Sequence, residues 1–147
     1  MNTTKKFISL FLSILMLAGC ICIPVSAAQP EIMPYYNNVL NTASDFDIDS
    51  TGLATVTASY KGYAGVTSNV TITIKIQKKT LGLVWTKVDI GTTNNEIVVS
   101  SSNYLDEFNY DIQLNSTGNY RAVITYTVSG SGGADDEIED ICTYTYS

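Results

Sequence analysis

Between Val70 and Lys78 the chain alternates without a break. Val70, Ile72, Ile74 and Ile76 take the even positions, and Thr71, Thr73, Lys75 and Gln77 stand between them. A period of two is the pattern of a strand with one buried and one wetted face. Lys79-Thr80-Leu81-Gly82 interrupts the run, and Leu83-Val84-Trp85-Thr86-Lys87-Val88-Asp89-Ile90 resumes it. Two such runs about a short glycine-containing break predict a β-hairpin over residues 70–90, onto which later strands are laid.

The N-terminus has the form of an export signal. Lys5 and Lys6 precede an apolar run from Phe7 to Leu17, and small residues follow at Val25-Ser26-Ala27-Ala28. Charge, apolar core and small-residue site in that order predict cleavage near Ala27 or Ala28. Leu17-Ala18-Gly19-Cys20 offers an alternative, because it matches a bacterial lipobox in which Cys20 is lipidated. The apolar run continues through Ile21 to Val25, which favours simple cleavage. An uncleaved anchor from Phe7 to Val25 is barely long enough to cross a bilayer. Each alternative places the rest of the chain outside the cytoplasm: secreted, or lipid-anchored at the cell surface. The expected organisation is a signal peptide at 1–28, an extended lead-in at 29–34 and one domain at 35–147.

Loss of Lys5 and Lys6 leaves six basic residues against 14 acidic ones, a net charge of −8. That charge repels phosphate backbones and anionic membranes, so nucleic acid and, without a lipid at Cys20, membrane are not expected partners. Cys142 is left as a lone thiol, so no internal disulfide is available and the core must supply the stability. About 120 residues suffice for one such core and not for two.

Beyond the lead-in, all further segments read as strands. Tyr35 to Thr42 holds a short first strand, Ser44 to Asp49 alternates, and Ser50-Thr51-Gly52 turns. Leu53 to Tyr60 presents Ala54, Val56, Ala58 and Tyr60 on one face. A short strand is expected over Glu96 to Val99, then one facing inward through Phe108, Tyr110, Ile112 and Leu114. Another uses Tyr120, Ala122, Ile124, Tyr126 and Val128, and the last uses Ile138, Cys142, Tyr144 and Tyr146. No proline follows Pro34, so nothing later interrupts a ladder. The prediction is all-β: a single antiparallel β-sandwich, immunoglobulin-like, with seven to eight strands. Its immunoglobulin-like character rests on Leu114-x-x-x-Gly118-x-Tyr120-x-Ala122, which has the spacing of a tyrosine corner, although Ser116 replaces the usual acid. A buried tyrosine on an ordinary strand explains the same residues.

Pro30-Glu31-Ile32-Met33-Pro34 with Tyr36-Asn37-Asn38-Val39, Ile74 to Gly82, Ser116 to Ala122 and Gly130 to Asp135 carry a resemblance. Together they resemble an uncharacterised family of small secreted Gram-positive bacterial proteins carrying a domain of unknown function. The resemblance spans nearly all of the chain after the signal. It implies export and a single β-domain, and brings no activity or site residue with it.

Candidate chemistry is sparse. The chain has no histidine, which excludes Ser-His-Asp and Cys-His catalysis and removes the commonest zinc ligand. Cys142 alternates with inward residues and reads as a structural thiol. No acid/base constellation is visible, so the chain is read as a non-enzyme with no cofactor. Asp45, Asp47 and Asp49 begin like an EF-hand loop, but Ser50 and Val56 stand where it needs Gly and Glu. Asp135, Asp136 and Glu137 beside a Gly/Ser loop form a possible calcium site, although a solvated strand edge is the ordinary explanation of such charges.

The hairpin offers the most suggestive surface. With Val84, Val88 and Ile90 inward, Leu81, Leu83 and Trp85 project outward together as a contact patch. The alternative places Trp85 in the core. Three functions fit: a non-catalytic module binding another macromolecule, protein or glycan; a glycan-binding domain using exposed aromatics; or a structural, self-associating surface protein.

Overall fold

The computed structural model describes residues 35–147. The stretch read as an export signal, Cys20 and the lead-in lie outside the described residues. Eight strands follow in order: β1 (Val39–Ile48), β2 (Leu53–Gly62), β3 (Thr67–Thr80), β4 (Val84–Lys87), β5 (Ile97–Ser101), β6 (Leu105–Gln113), β7 (Gly118–Gly130) and β8 (Asp136–Tyr146). They form two antiparallel sheets, so the chain is an all-β sandwich. One sheet runs β1-β2-β6. The other runs β4-β3-β7-β8, with β5 pairing β3 along Val70–Ile74 while β4 pairs it along Gln77–Thr80.

The alternation explains the layering. Val70, Ile72, Ile74 and Ile76 of β3 are buried, as are Tyr120, Ala122, Ile124, Tyr126 and Val128 of β7. Facing them from the other sheet are Phe46, Ile48, Ala54, Val56, Ala58, Tyr60 and Ile112. Removing an isoleucine or tyrosine side chain of this kind from water contributes about 2–3 kcal/mol, which makes these inner faces the main source of stability.

The tyrosine at the start of β7 makes the bond its spacing predicts. Tyr120 Oη donates to the Ser116 carbonyl at 2.5 Å, closing the corner between β6 and β7. Ser116 has a second use, since its hydroxyl accepts from Lys78 Nζ at 2.7 Å. Gly118 is required here: a Cβ at that position would meet Lys78 Cε at 2.7 Å, and its φ is +146°.

Three expectations need correction. The segments 35–42 and 44–49 are one strand, continuous from Val39 to Ile48 with a register shift between Val39 and Asn41. The second arm of the hairpin is paired only over Val84–Lys87, although Val88 N still donates to Ile76 O at 2.9 Å. Val84 keeps the inward phase of its strand but does not reach the core. It is 62% exposed, because its partner Thr80 lies beyond the last core position of β3 and no residue of the other sheet covers it. Val88 and Ile90 do pack against the core.

Candidate functional site

Residues directly opposite on neighbouring strands share a face. Since Ile72, Ile74 and Ile76 point inward, Lys75, Gln77 and Lys79 point out. Gln77 pairs with Lys87 on one side and Arg121 on the other, and Arg121 pairs with Thr143. One rung of the outer face therefore reads Lys87-Gln77-Arg121-Thr143. Along the next rung, Trp85 pairs with Lys79, and Asn119 with Thr145. The candidate site is this two-rung patch.

Trp85 is half-buried, neither fully projecting nor in the core. Two cations hold it against the sheet: the Arg121 guanidinium carbon lies 4.6 Å from the indole centroid, and Lys79 Nζ lies 5.6 Å away. Arg121 Nε donates to Gln77 Oε1 at 2.7 Å, which orients the guanidinium. Beside them a shallow groove of about 290 Å³ is lined by Lys79, Trp85, Asn119, Thr143 and Thr145. Thr145 Oγ1 donates to Asn119 Oδ1 at 2.9 Å, which leaves the Asn119 amide N–H groups for the groove.

The charge distribution is uneven. Of the six basic residues among the described residues, Lys75, Lys79, Lys87 and Arg121 lie on this face. Glu96 answers two of them, at 2.8 Å from Lys87 Nζ and 3.7 Å from Lys75 Nζ, and the Lys87 hydrogen bond holds its carboxyl below the usual range. Lys79 and Arg121 have no carboxylate partner among the described residues. The nearer of the face's remaining acids, Glu139, sits opposite Thr125, four positions along β7 from Arg121. That is about 13 Å of strand, more than a screening length at physiological salt. The opposite face of the sandwich carries Asp45, Asp47, Glu107 and Asp111 with Lys61 as its one cation.

Leu81, Leu83 and Trp85 do not form one patch. Leu81 and Leu83 are 91% and 82% exposed at the tip of the hairpin, joined by Val84, while Trp85 lies flat against its cations. Leu81 has a φ of +53°, unusual for a branched side chain, and Gly82 follows at +68°. Arg121, Gln77 and Asn119 were not legible as site residues, because only the β3-β7 register brings them beside the hairpin.

Asp135, Asp136 and Glu137, the residues of the calcium reading, are turned to different surroundings. Asp136 is buried, and its carboxylate accepts from Asn37 N at 2.9 Å, Asn38 N at 2.6 Å and Val39 N at 3.2 Å. Glu137 points to the other face of the strand and Asp135 is exposed. No group of three or more potential ligands comes together among the described residues. Asp49 likewise serves the β1-β2 turn, where its carboxylate accepts from Thr51 N at 2.8 Å and Leu53 N at 2.9 Å.

Cys142 is half-buried and its Sγ lies 3.6 Å from the Ser44 carbonyl. Burial, with Asp140 and Asp45 nearby, pushes its thiol up, the opposite of what a nucleophile needs. Other hollows lie elsewhere among the described residues. One, of about 450 Å³, lies beside Ile90, Ile97, Tyr110 and Ile112, and one of about 440 Å³ beside Ser59 and Leu105. Neither gathers more than one cation. No protein-family model, curated protein or solved structure matches this chain.

Proposed function

We propose that this is an exported, non-catalytic β-sandwich module that binds another macromolecule through the outer face of β4, β3 and β7. One observation carries the reading: Trp85, set between Lys79 and Arg121, borders a groove on a face rich in cations in an otherwise acidic domain. The absence of histidine and the raised thiol of Cys142 support a non-catalytic role. The strand order and the Tyr120 bond support immunoglobulin-like connectivity, and the family of small secreted Gram-positive proteins remains the relationship proposed.

Trp85 is the only tryptophan, so its fluorescence reports the site alone. Emission of the purified domain should be partly quenchable by acrylamide and should change when cell-wall or host glycan material is titrated in. Trp85→Ala, followed by calorimetry, should lose that binding. An unaltered affinity in the variant would end the reading.

A second reading has its own observation. Leu81 holds a left-handed conformation while exposing its side chain beside Leu83 and Val84, and strain at an exposed apolar residue suggests a contact. Self-association through this tip predicts a concentration-dependent sedimentation coefficient that Leu83→Ser abolishes. A monomer at millimolar concentration would eliminate it.

A further inference from the structure

Resting on the proposal that the Trp85 face is a binding surface, we infer that its ligand is an anionic saccharide, a sugar unit bearing a carboxylate or a phosphate.

The donors and acceptors of the groove wall, together with the Arg121 guanidinium that stacks on Trp85 at the groove's border, carry the inference. Lys79 brings three N–H groups and no acceptor. Arg121 brings five, of which only Nε is hydrogen-bonded among the described residues. Its terminal nitrogens are not, and the Gln77 bond and the Trp85 stack orient their fork. Asn119 contributes its amide N–H pair, its oxygen being taken by Thr145. A rim so weighted toward donors fits a ligand weighted toward acceptors, and two of its donors carry full charge. Carboxylate and phosphate oxygens meet that need with the strongest bonds available to such groups.

The sugar follows from the remaining wall. Trp85 brings the part of its indole not covered by those cations to the groove wall, and Thr143 adds a hydroxyl. A pyranose presents C–H groups on one face and hydroxyls at its edge, which matches an aromatic plate with polar groups around it. The groove of about 290 Å³ is open and shallow, sized for one or two such rings on a polymer rather than for an enclosed small molecule. Electrostatics favours the same partner. Glu96 is engaged by Lys75 and Lys87, and Glu139, the nearer of the face's other acids, lies about 13 Å of strand from Arg121, so the negative net charge does not cancel the local field of Lys79 and Arg121.

The test uses the domain from residue 35 onward with the Trp85 emission as readout, and four polymers. Polygalacturonate carries carboxylates, phosphomannan carries phosphates, methyl-esterified polygalacturonate keeps the rings without the charge, and poly-glutamate keeps the charge without the rings. Polygalacturonate or phosphomannan should shift the emission, with affinity falling as salt rises, and whichever binds tighter identifies the anion. The esterified polymer should bind at least about tenfold more weakly. Arg121→Gln and Lys79→Gln should each weaken the anionic polymer about tenfold, the loss of one charge-assisted contact, with little change in melting temperature. Equal binding of the esterified polymer would leave a binding face but overturn the anion. Equal binding of poly-glutamate would overturn the sugar and point to an acidic protein. Emission unmoved by all four would overturn the inference outright, while the binding face itself is judged separately by the Trp85→Ala titration.

Discussion

Asp136 is an acid spent on backbone. Its two oxygens receive three consecutive amides, from Asn37, Asn38 and Val39. Asn38 is fully buried beside it, donating to Ala134 O at 2.8 Å and accepting from Gly132 N at 3.0 Å. The Gly/Ser loop before β8 needs its glycine for close approach, because a Cβ at Gly132 would collide with the Asn37 carbonyl. Asp136→Ala leaves two buried amides and one half-buried amide without an acceptor and is expected to lower stability by about 3 kcal/mol, read by urea denaturation. Calcium at millimolar concentration should not change that midpoint. Tyr126 makes a second prediction at this scale. It pairs with Ser44 Oγ at 2.7 Å, and burial chiefly, with Asp140 near, pushes its phenol up to about 12. The unfolded chain ionises near 10, so Tyr126 favours folding fully below pH 10 and loses that contribution as pH rises to about 12, up to about 3 kcal/mol. Tyr126→Phe should flatten the alkaline limb of a stability-against-pH curve.

Most of the elements were legible because their inner faces alternate without exception. The strands of residues 53–62, 67–80, 105–113 and 118–130 follow from Ala54 to Tyr60, Val70 to Ile76, Phe108 to Ile112 and Tyr120 to Val128. The second hairpin arm was not legible to the same degree. Alternation predicts which residues share a face, but not where the opposing sheet ends, and Val84 stands past that end. Half of the candidate site was equally hidden, since no local pattern places Arg121 beside Trp85. Only pairing between β3 and β7, 44 residues apart at Gln77 and Arg121, does so. The hairpin tip also gives a prediction. Leu81 adopts a positive φ in a turn closed by Leu83 N donating to Thr80 O at 3.1 Å. Asparagine tolerates that conformation better, so Leu81→Asn should raise stability by about 1 kcal/mol, seen as a higher melting temperature. A fall would show that Leu81 packs against something in solution.

At the scale of the molecule the sandwich is polar in the electrical sense. Cations gather on the outer face of β4, β3 and β7, and carboxylates on the outer face of β1, β2 and β6. Hydrogen bonds to Asp49 and Asp106, and from Lys87 to Glu96, hold these carboxyls below their usual range. A carboxyl with a lowered value stabilises the fold above its unfolded pKa and stops doing so as pH falls through the folded one. Thermal stability should therefore decline below about pH 4, with no matching loss between pH 5 and 8. Differential scanning calorimetry across that range checks it.

The clamp on residues 37–39 also sets where cargo can be attached. It fixes the incoming chain where β1 begins, beside the end of β2 at Gly62 and the start of β3. β3 then runs 14 residues, about 45 Å, before it reaches the hairpin, and β8, beside β7, runs the same way to finish with Thr145 in the groove wall. The two termini of the domain are thus unequal as handles. A fluorophore, bead or fused protein joined at Ser147 sits two residues from the groove and should blunt ligand capture. The same cargo joined ahead of Tyr35 lies at the far pole and should leave capture intact, with Trp85 held out toward whatever the domain meets.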